Sequence, residues 1–125
     1  SNQEMQLYDI YPQGNFICAT KDTPFFQIGE SKYGKPILDR ALSYDMPLDQ
    51  ALRCSLISFD STLRSNVSVG LPLDCFVYQI DSLHIPIGKR IYEEDPYFAN
   101  ISKQWSETLR KGLHELPTPT ADYLE

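Results

Sequence analysis

Residues 45–65, DMPLDQALRCSLISFDSTLRS, limit the possible folds more than any other part of the sequence. Leu48, Leu52, Leu56, Phe59 and Leu63 recur at helical spacing, which predicts a helix over about 47–64. Ala51, Ser55, Ser58 and Thr62 form a second stripe of small residues, and small side chains let a helix lie close to a neighbour. Asp49 near the start and Arg64 at the end suit the helix dipole. A helix with two such faces needs packed elements on both, and the rest of the chain must supply them.

Upstream, LYDIYPQGNFICAT reads as a hairpin, with β-prone residues 7–11 and 16–20 around the turn Pro12-Gln13-Gly14-Asn15. Residues 25–28, Phe-Phe-Gln-Ile, read as a buried strand that stops at Gly29. Pro36 then opens a short helix with Ile37, Leu38, Ala41 and Leu42 on one side. Downstream, Val67-Ser68-Val69 is strand-like, and residues 74–80 read as a strong strand buried on both faces. LHIPI forms a further short strand, placed at an edge or bulge by Pro86. Asp95 is a good N-cap and Pro96 a good first residue for a last helix, whose Phe98, Ile101, Trp105, Leu109, Leu113 and Leu116 share one side. Gly112 weakens that helix by about 1 kcal/mol relative to Ala, so it marks either close packing or fraying. Pro117 and Pro119 stop it. The order β-β-β-α-α-β-β-α is that of an α+β fold with a mostly antiparallel sheet, two adjacent helices and a C-terminal helix. A nucleotide-binding βαβ fold would alternate strictly, and this chain does not.

The 125 residues fit one domain, divided as a tag-like irregular start at 1–6, the folded part at 7–116 and a loose tail at 117–125. Ser1-Asn2 reads as vector-derived. A net charge of −6 and a pI near 4.8 disfavour nucleic acid as a partner. No apolar run approaches the ~20 residues of a membrane span. Cys18, Cys54 and Cys75 are an odd number without CxxC spacing, and they read as small buried hydrophobes in a reducing, cytoplasmic setting. Neither His84 nor His114 stands at zinc-ligand spacing to a cysteine, so no metal and no cofactor are expected.

No phosphate-loop, zinc-peptidase, serine-elbow or calcium-loop motif is present. Asp60-Ser61-Thr62 reads as helix surface and packing, and Glu93-Glu94-Asp95 as acids at a helix N-terminus. Ser1 with Lys32 or Lys35 superficially mimics an N-terminal nucleophile and its activating lysine. We reject that pairing. Ser1 precedes an irregular polar segment, and both lysines sit in a corner between elements.

The phrases LYDIYPQGNFI, FFQIGESKYGKPILDRAL, DMPLDQALRCSLISFDSTLRSNVSVGLPLD and EEDPYFANISKQW resemble the C-terminal half of Anbu, the bacterial proteasome-related peptidase family. The similarity runs from about Leu7 to Trp105. It implies half of an αββα sandwich of the N-terminal-nucleophile hydrolase type. It also implies a threonine-type endopeptidase acting on peptides or unfolded proteins as a homo-oligomer, with no nucleic acid or membrane partner. The nucleophile belongs to the other half, so the resemblance implies that this chain alone is inactive. The family's supporting shell carries over onto Gly29, Glu30 and Ser31 at the corner, and onto Ser65, Asn66 and Ser68 after the long helix. Ser65 stands where an aspartate is expected, with Asn66 beside it, and Glu30 replaces a serine. The other reading is a non-catalytic proteasome-like scaffold or interaction module.

Overall fold

The computed structural model describes residues 4–125. Ser1 and Asn2, read above as a tag, and the Ser1 half of the rejected nucleophile pairing lie outside the described residues. Strands β1 (Tyr8–Ile10) and β2 (Phe16–Cys18) form the first antiparallel hairpin, with Tyr8 opposite Cys18 and Ile10 opposite Phe16. The turn closes where the Tyr11 N–H donates to the Asn15 carbonyl at 2.8 Å. Across the pair, the Tyr8 and Phe16 rings meet edge to face with centroids 5.5 Å apart.

Helix α1 (Lys35–Ala41) carries Pro36 in its first turn. Helix α2 (Leu48–Ser65) starts after Pro47, with Asp49 in the first turn and Arg64 in the last. The small-residue stripe does what small residues permit. Gly34, at the start of α1, lies against Ser58 and Thr62 so closely that a Cβ there would stand 2.7 Å from the Ser58 carbonyl oxygen. Both Ser58 and Thr62 are buried, and the Thr62 hydroxyl donates to the Ser58 carbonyl at 3.0 Å.

Strands β3 (Leu73–Cys75) and β4 (Lys89–Ile91) make a second antiparallel pair. Asp74 lies opposite Arg90, and the two side chains form a fork-like pair at 2.7 and 2.9 Å. Both are exposed, so the pair fixes register more than it stabilises. Helix α3 (Pro96–Glu115) begins as the sequence requires, with the Phe98 N–H donating to the Asp95 carboxylate at 2.9 Å. A short 3-10 turn at Ala121–Tyr123 follows.

The core is small. Leu56, Ile91 and Phe98 meet at its centre, with Leu52, Leu63, Leu71, Leu73, Cys75 and Ile101 packed around them. It therefore sits between α2, α3 and the β3–β4 pair. A polar clasp joins the two helices beside it. The buried Asp60 carboxylate accepts from the Ser102 hydroxyl at 2.6 Å and from Arg64 Nε at 3.3 Å, and Arg64 also donates to Ser102. Asp60 thus locks α2 to α3 rather than decorating a surface.

The α+β class, the two adjacent helices and the antiparallel pairing stand. The sheet differs from expectation: it is two separate two-stranded pieces. Residues 25–28 are not a strand; they run without a ladder partner. The strand expected at 74–80 ends at Cys75, and Phe76, Val77, Tyr78 and Ile80 are exposed rather than buried on both faces. Val67-Ser68-Val69 is a turn, and LHIPI is irregular, its place in the ladder taken by Lys89–Ile91. The reason is common to all four. β-prone residues become a strand only when a neighbour accepts their backbone bonds, and here none does. The three cysteines are free and half-buried, less enclosed than expected. Burial pushes the Cys54 thiol up, with nearby Arg53 opposing. Among the described residues no helix is long and apolar enough to cross a membrane.

The molecule exposes 10334 Å². A compact protein of 14.3 kDa exposes about 6,800 Å², so about 3,500 Å² remains uncovered. Apolar residues hold much of it: Ile28, Val67, Phe76, Ile80, Leu83, Ile85 and Ile87 each keep more than half of their surface in contact with solvent.

Candidate functional site

The corner after residue 28 turns through Gly29, whose φ of +88° suits a residue without a Cβ. That turn aims the Glu30 side chain back toward the end of α2. One carboxylate oxygen accepts from the Lys32 backbone N–H at 2.7 Å, and the other from the Asn66 amide at 3.3 Å. Asn66 is the residue at which α2 stops. Its own N–H still donates to the Thr62 carbonyl, while its side-chain oxygen accepts from the Ser68 N–H at 2.9 Å. This is the local side-chain-to-backbone bond by which Asn ends a helix and shapes a turn. The two loops, distant in sequence, are tied by one Glu–Asn bond, and the Gly34 contact with α2 holds the corner in place.

Gln27 completes the arrangement. Its amide nitrogen donates to the Glu30 main-chain carbonyl at 2.6 Å, while its amide oxygen is buried and lacks a hydrogen-bond partner. Behind the corner lies a cleft of about 300 Å³, lined by Phe26, Gln27, Glu30, Ser58, Thr62 and Val69 among others. Glu30 is half-buried and, among the described residues, makes no ion pair with a Lys, Arg or His side chain. The Lys35 ammonium is engaged elsewhere, 2.9 Å from Asp39.

Of the six residues singled out from the sequence, the structure brings Gly29, Glu30, Asn66 and Ser68 to one place. Ser68 enters through its backbone N–H, not its hydroxyl. Ser31 is exposed at the corner and Ser65 is exposed at the end of α2. Gln27 was not singled out. Its signal was a polar side chain within an otherwise apolar run just before the glycine. A second groove, of about 320 Å³, opens between the three helices near Ile37, Cys54, Ile101 and Trp105. It is lined mainly by apolar residues. No three His, Cys, Asp or Glu side chains gather to hold a metal among the described residues.

The backbone superposes on solved structures. Anbu from Pseudomonas aeruginosa, solved as a helical assembly, matches with a TM-score of 0.89 and 64% identity over 94% of this chain. The match corresponds to half of an Anbu chain. Anbu from Yersinia bercovieri, described as an ancestral beta-subunit, matches with a TM-score of 0.86 and 62% identity over 92% of this chain. Anbu from Hyphomicrobium sp. strain MC1 matches at 0.86 and 54% over 90%. This chain spans 49%, 48% and 49% of those three Anbu chains, respectively, consistent with the C-terminal portion expected from the sequence. No protein-family model and no curated protein matches the sequence.

Proposed function

We propose that this chain is the C-terminal part of a proteasome-related, threonine-type endopeptidase subunit that assembles with copies of itself. The observation that carries the reading is 64% identity to Anbu over 94% of the chain, with a TM-score of 0.89. At that similarity the backbone course and most of the residue types are shared. The uncovered 3,500 Å² or so supports a missing layer: a second sheet would complete an αββα sandwich. In that sandwich residues 25–28 and 76–80 gain the ladder partners they lack here. Self-assembly is supported by the helical assembly of the Pseudomonas protein.

The chemistry belongs to the other half. A threonine hydroxyl at the mature N-terminus attacks the peptide carbonyl, its own α-amine takes the proton, the amine product leaves, and water hydrolyses the acyl ester. This chain contributes the wall around that amine through Gly29, Glu30, Ser31, Ser65, Asn66 and Ser68, and alone it is inert. Ser65, standing where an aspartate is expected, favours the second reading, a non-catalytic scaffold.

Fluorogenic peptide hydrolysis by the intact subunit separates the two. The peptidase reading expects turnover that a Thr→Ala change at the first residue abolishes, and none from this chain by itself. Equal rates from the intact subunit and its Thr→Ala form leave the scaffold.

A further inference from the structure

Helix α2 turns Leu52, Leu56 and Leu63 toward the core and the strands, and Arg53, Cys54 and Ile57 toward the groove it shares with α1 and α3. At about 3.6 residues per turn the two sets lie on different sides of the helix. A layer added over the strands would therefore leave this groove of about 320 Å³ open. Its walls are mainly apolar, with Ile37, Met46, Ile57, Ile101 and Trp105 among them, and no acid lines it. Arg53 is exposed at its edge and, among the described residues, makes no ion pair. Gln104 and Thr108 also border an adjoining polar depression that carries Lys103 and Lys111 against one acid, Glu107. In a chain of net charge −6 this is a local surplus of cations.

The segment Asp122-Tyr123-Leu124-Glu125 has the complementary chemistry. Tyr123 and Leu124 are 78% and 79% exposed, with an acid on each side. Their backbone is already turned: the Tyr123 N–H donates to the Thr120 carbonyl and the Leu124 N–H to the Ala121 carbonyl, both at 3.0 Å. Little backbone ordering is left to do on binding. Every residue from Leu116 to Glu125 is exposed, and Pro117 and Pro119 restrict the backbone, so the tail runs clear of its own helices.

We propose that the groove seats the Asp122–Glu125 segment of a second copy, with Tyr123 and Leu124 between the helices and their flanking acids toward Arg53 and the two lysines. This rests on the self-assembly reading and names a contact for it. Tail and groove are different patches of one chain, so the contact is heterologous and passes from copy to copy.

Cys54 lines the groove and makes a built-in probe. One form of the chain keeps Cys54 alone, through Cys18→Ala and Cys75→Ala. A second, isotope-labelled form carries Cys54→Ala as well and gains a thiol by Ala121→Cys. The two are mixed with a short bis-maleimide linker at micromolar concentration, and mass spectrometry identifies the joined peptides. The tail thiol is expected to join Cys54 about tenfold more than it joins a thiol placed by Gln13→Cys on the first hairpin, because docking raises the local concentration. Arg53→Glu should cut the Cys54 yield by about fivefold, and Tyr123→Ser with Leu124→Ser should bring it to the Gln13 level. If the alanine changes disturb folding, alkylation of Cys54 in the unsubstituted chain still decides. It should slow as chain concentration rises, but not in the Tyr123→Ser, Leu124→Ser form. A yield no higher than at Gln13, or alkylation indifferent to the tail, overturns the seat. Shielding by the tail that persists on dilution places the tail in its own groove and overturns it too. Light scattering on the same samples separates the parent reading: association without the link removes the seat alone, and a monomer throughout removes self-assembly with it.

Discussion

Two glycines show how little the residue type says without its surroundings. Gly34 has an ordinary helical backbone, so alanine would gain the unfolded-state benefit of about 0.4–1 kcal/mol. Its Cβ, however, would stand 2.7 Å from a backbone oxygen of α2 and 2.8 Å from the Thr62 hydroxyl. Overpacking of this kind costs roughly 1–3 kcal/mol, so Gly34→Ala is expected to destabilise on balance. Gly112 sits in α3 with nothing within 4 Å, which removes close packing as its reason. Gly112→Ala should therefore stabilise by about 1 kcal/mol. Urea unfolding of the two variants checks both signs. Gly112 was readable as a weak point because its penalty is intrinsic to the helix. The Gly34 contact was only half readable: the Ser58 and Thr62 stripe announced a close neighbour without saying which. The Glu30–Asn66 bond was not readable as a pair, since sequence carries no distance between two loops. Gln27 was missed because its one sign, a polar residue within an apolar run, does not by itself point to a buried acceptor.

At the level of elements, the helices were legible and the strands largely were not. The periods of α2 and α3 are internal to each segment, and the Asp95-Pro96 start needs only its own next turn. A strand is defined by its neighbour, so Phe25, Phe26, Phe76 and Tyr78 advertised a tendency that this polypeptide cannot satisfy. The cap of α3 has a consequence in acid. The Phe98 N–H, above all, and the nearby Lys89 hold the Asp95 carboxyl below the usual range. A depressed native value means stability that is present above the unfolded value of about 3.9 and lost as pH falls through the native one. Thermal melts from about pH 6 to pH 2 should drop less steeply for Asp95→Asn than for the unsubstituted protein, because asparagine accepts the same bond at every pH. Equal slopes would show that the cap does not govern acid loss.

For the molecule as a whole, the uncovered apolar surface predicts association. About 3,500 Å² exceeds what a standard protein–protein interface buries in total, so the chain alone should form dimers or larger species at micromolar concentration. Light scattering coupled to size exclusion measures this directly. Phe76→Glu together with Ile80→Glu should shift the population toward monomer, because charges placed in an apolar contact must be desolvated. A strictly monomeric parent would contradict it. The small core centred on Leu56, Ile91 and Phe98 also governs the response to heat. Heat-capacity change follows the apolar area newly wetted on melting, and here much of that area is wet already. Calorimetry of the isolated chain, extrapolated to dilution, should give well under the usual 12–15 cal/mol/K per residue or so, with a broad and shallow transition. If the proposed second sheet covers this face in the assembled particle, the same residues melted from within it should absorb heat more sharply, because more apolar area is then wetted at once.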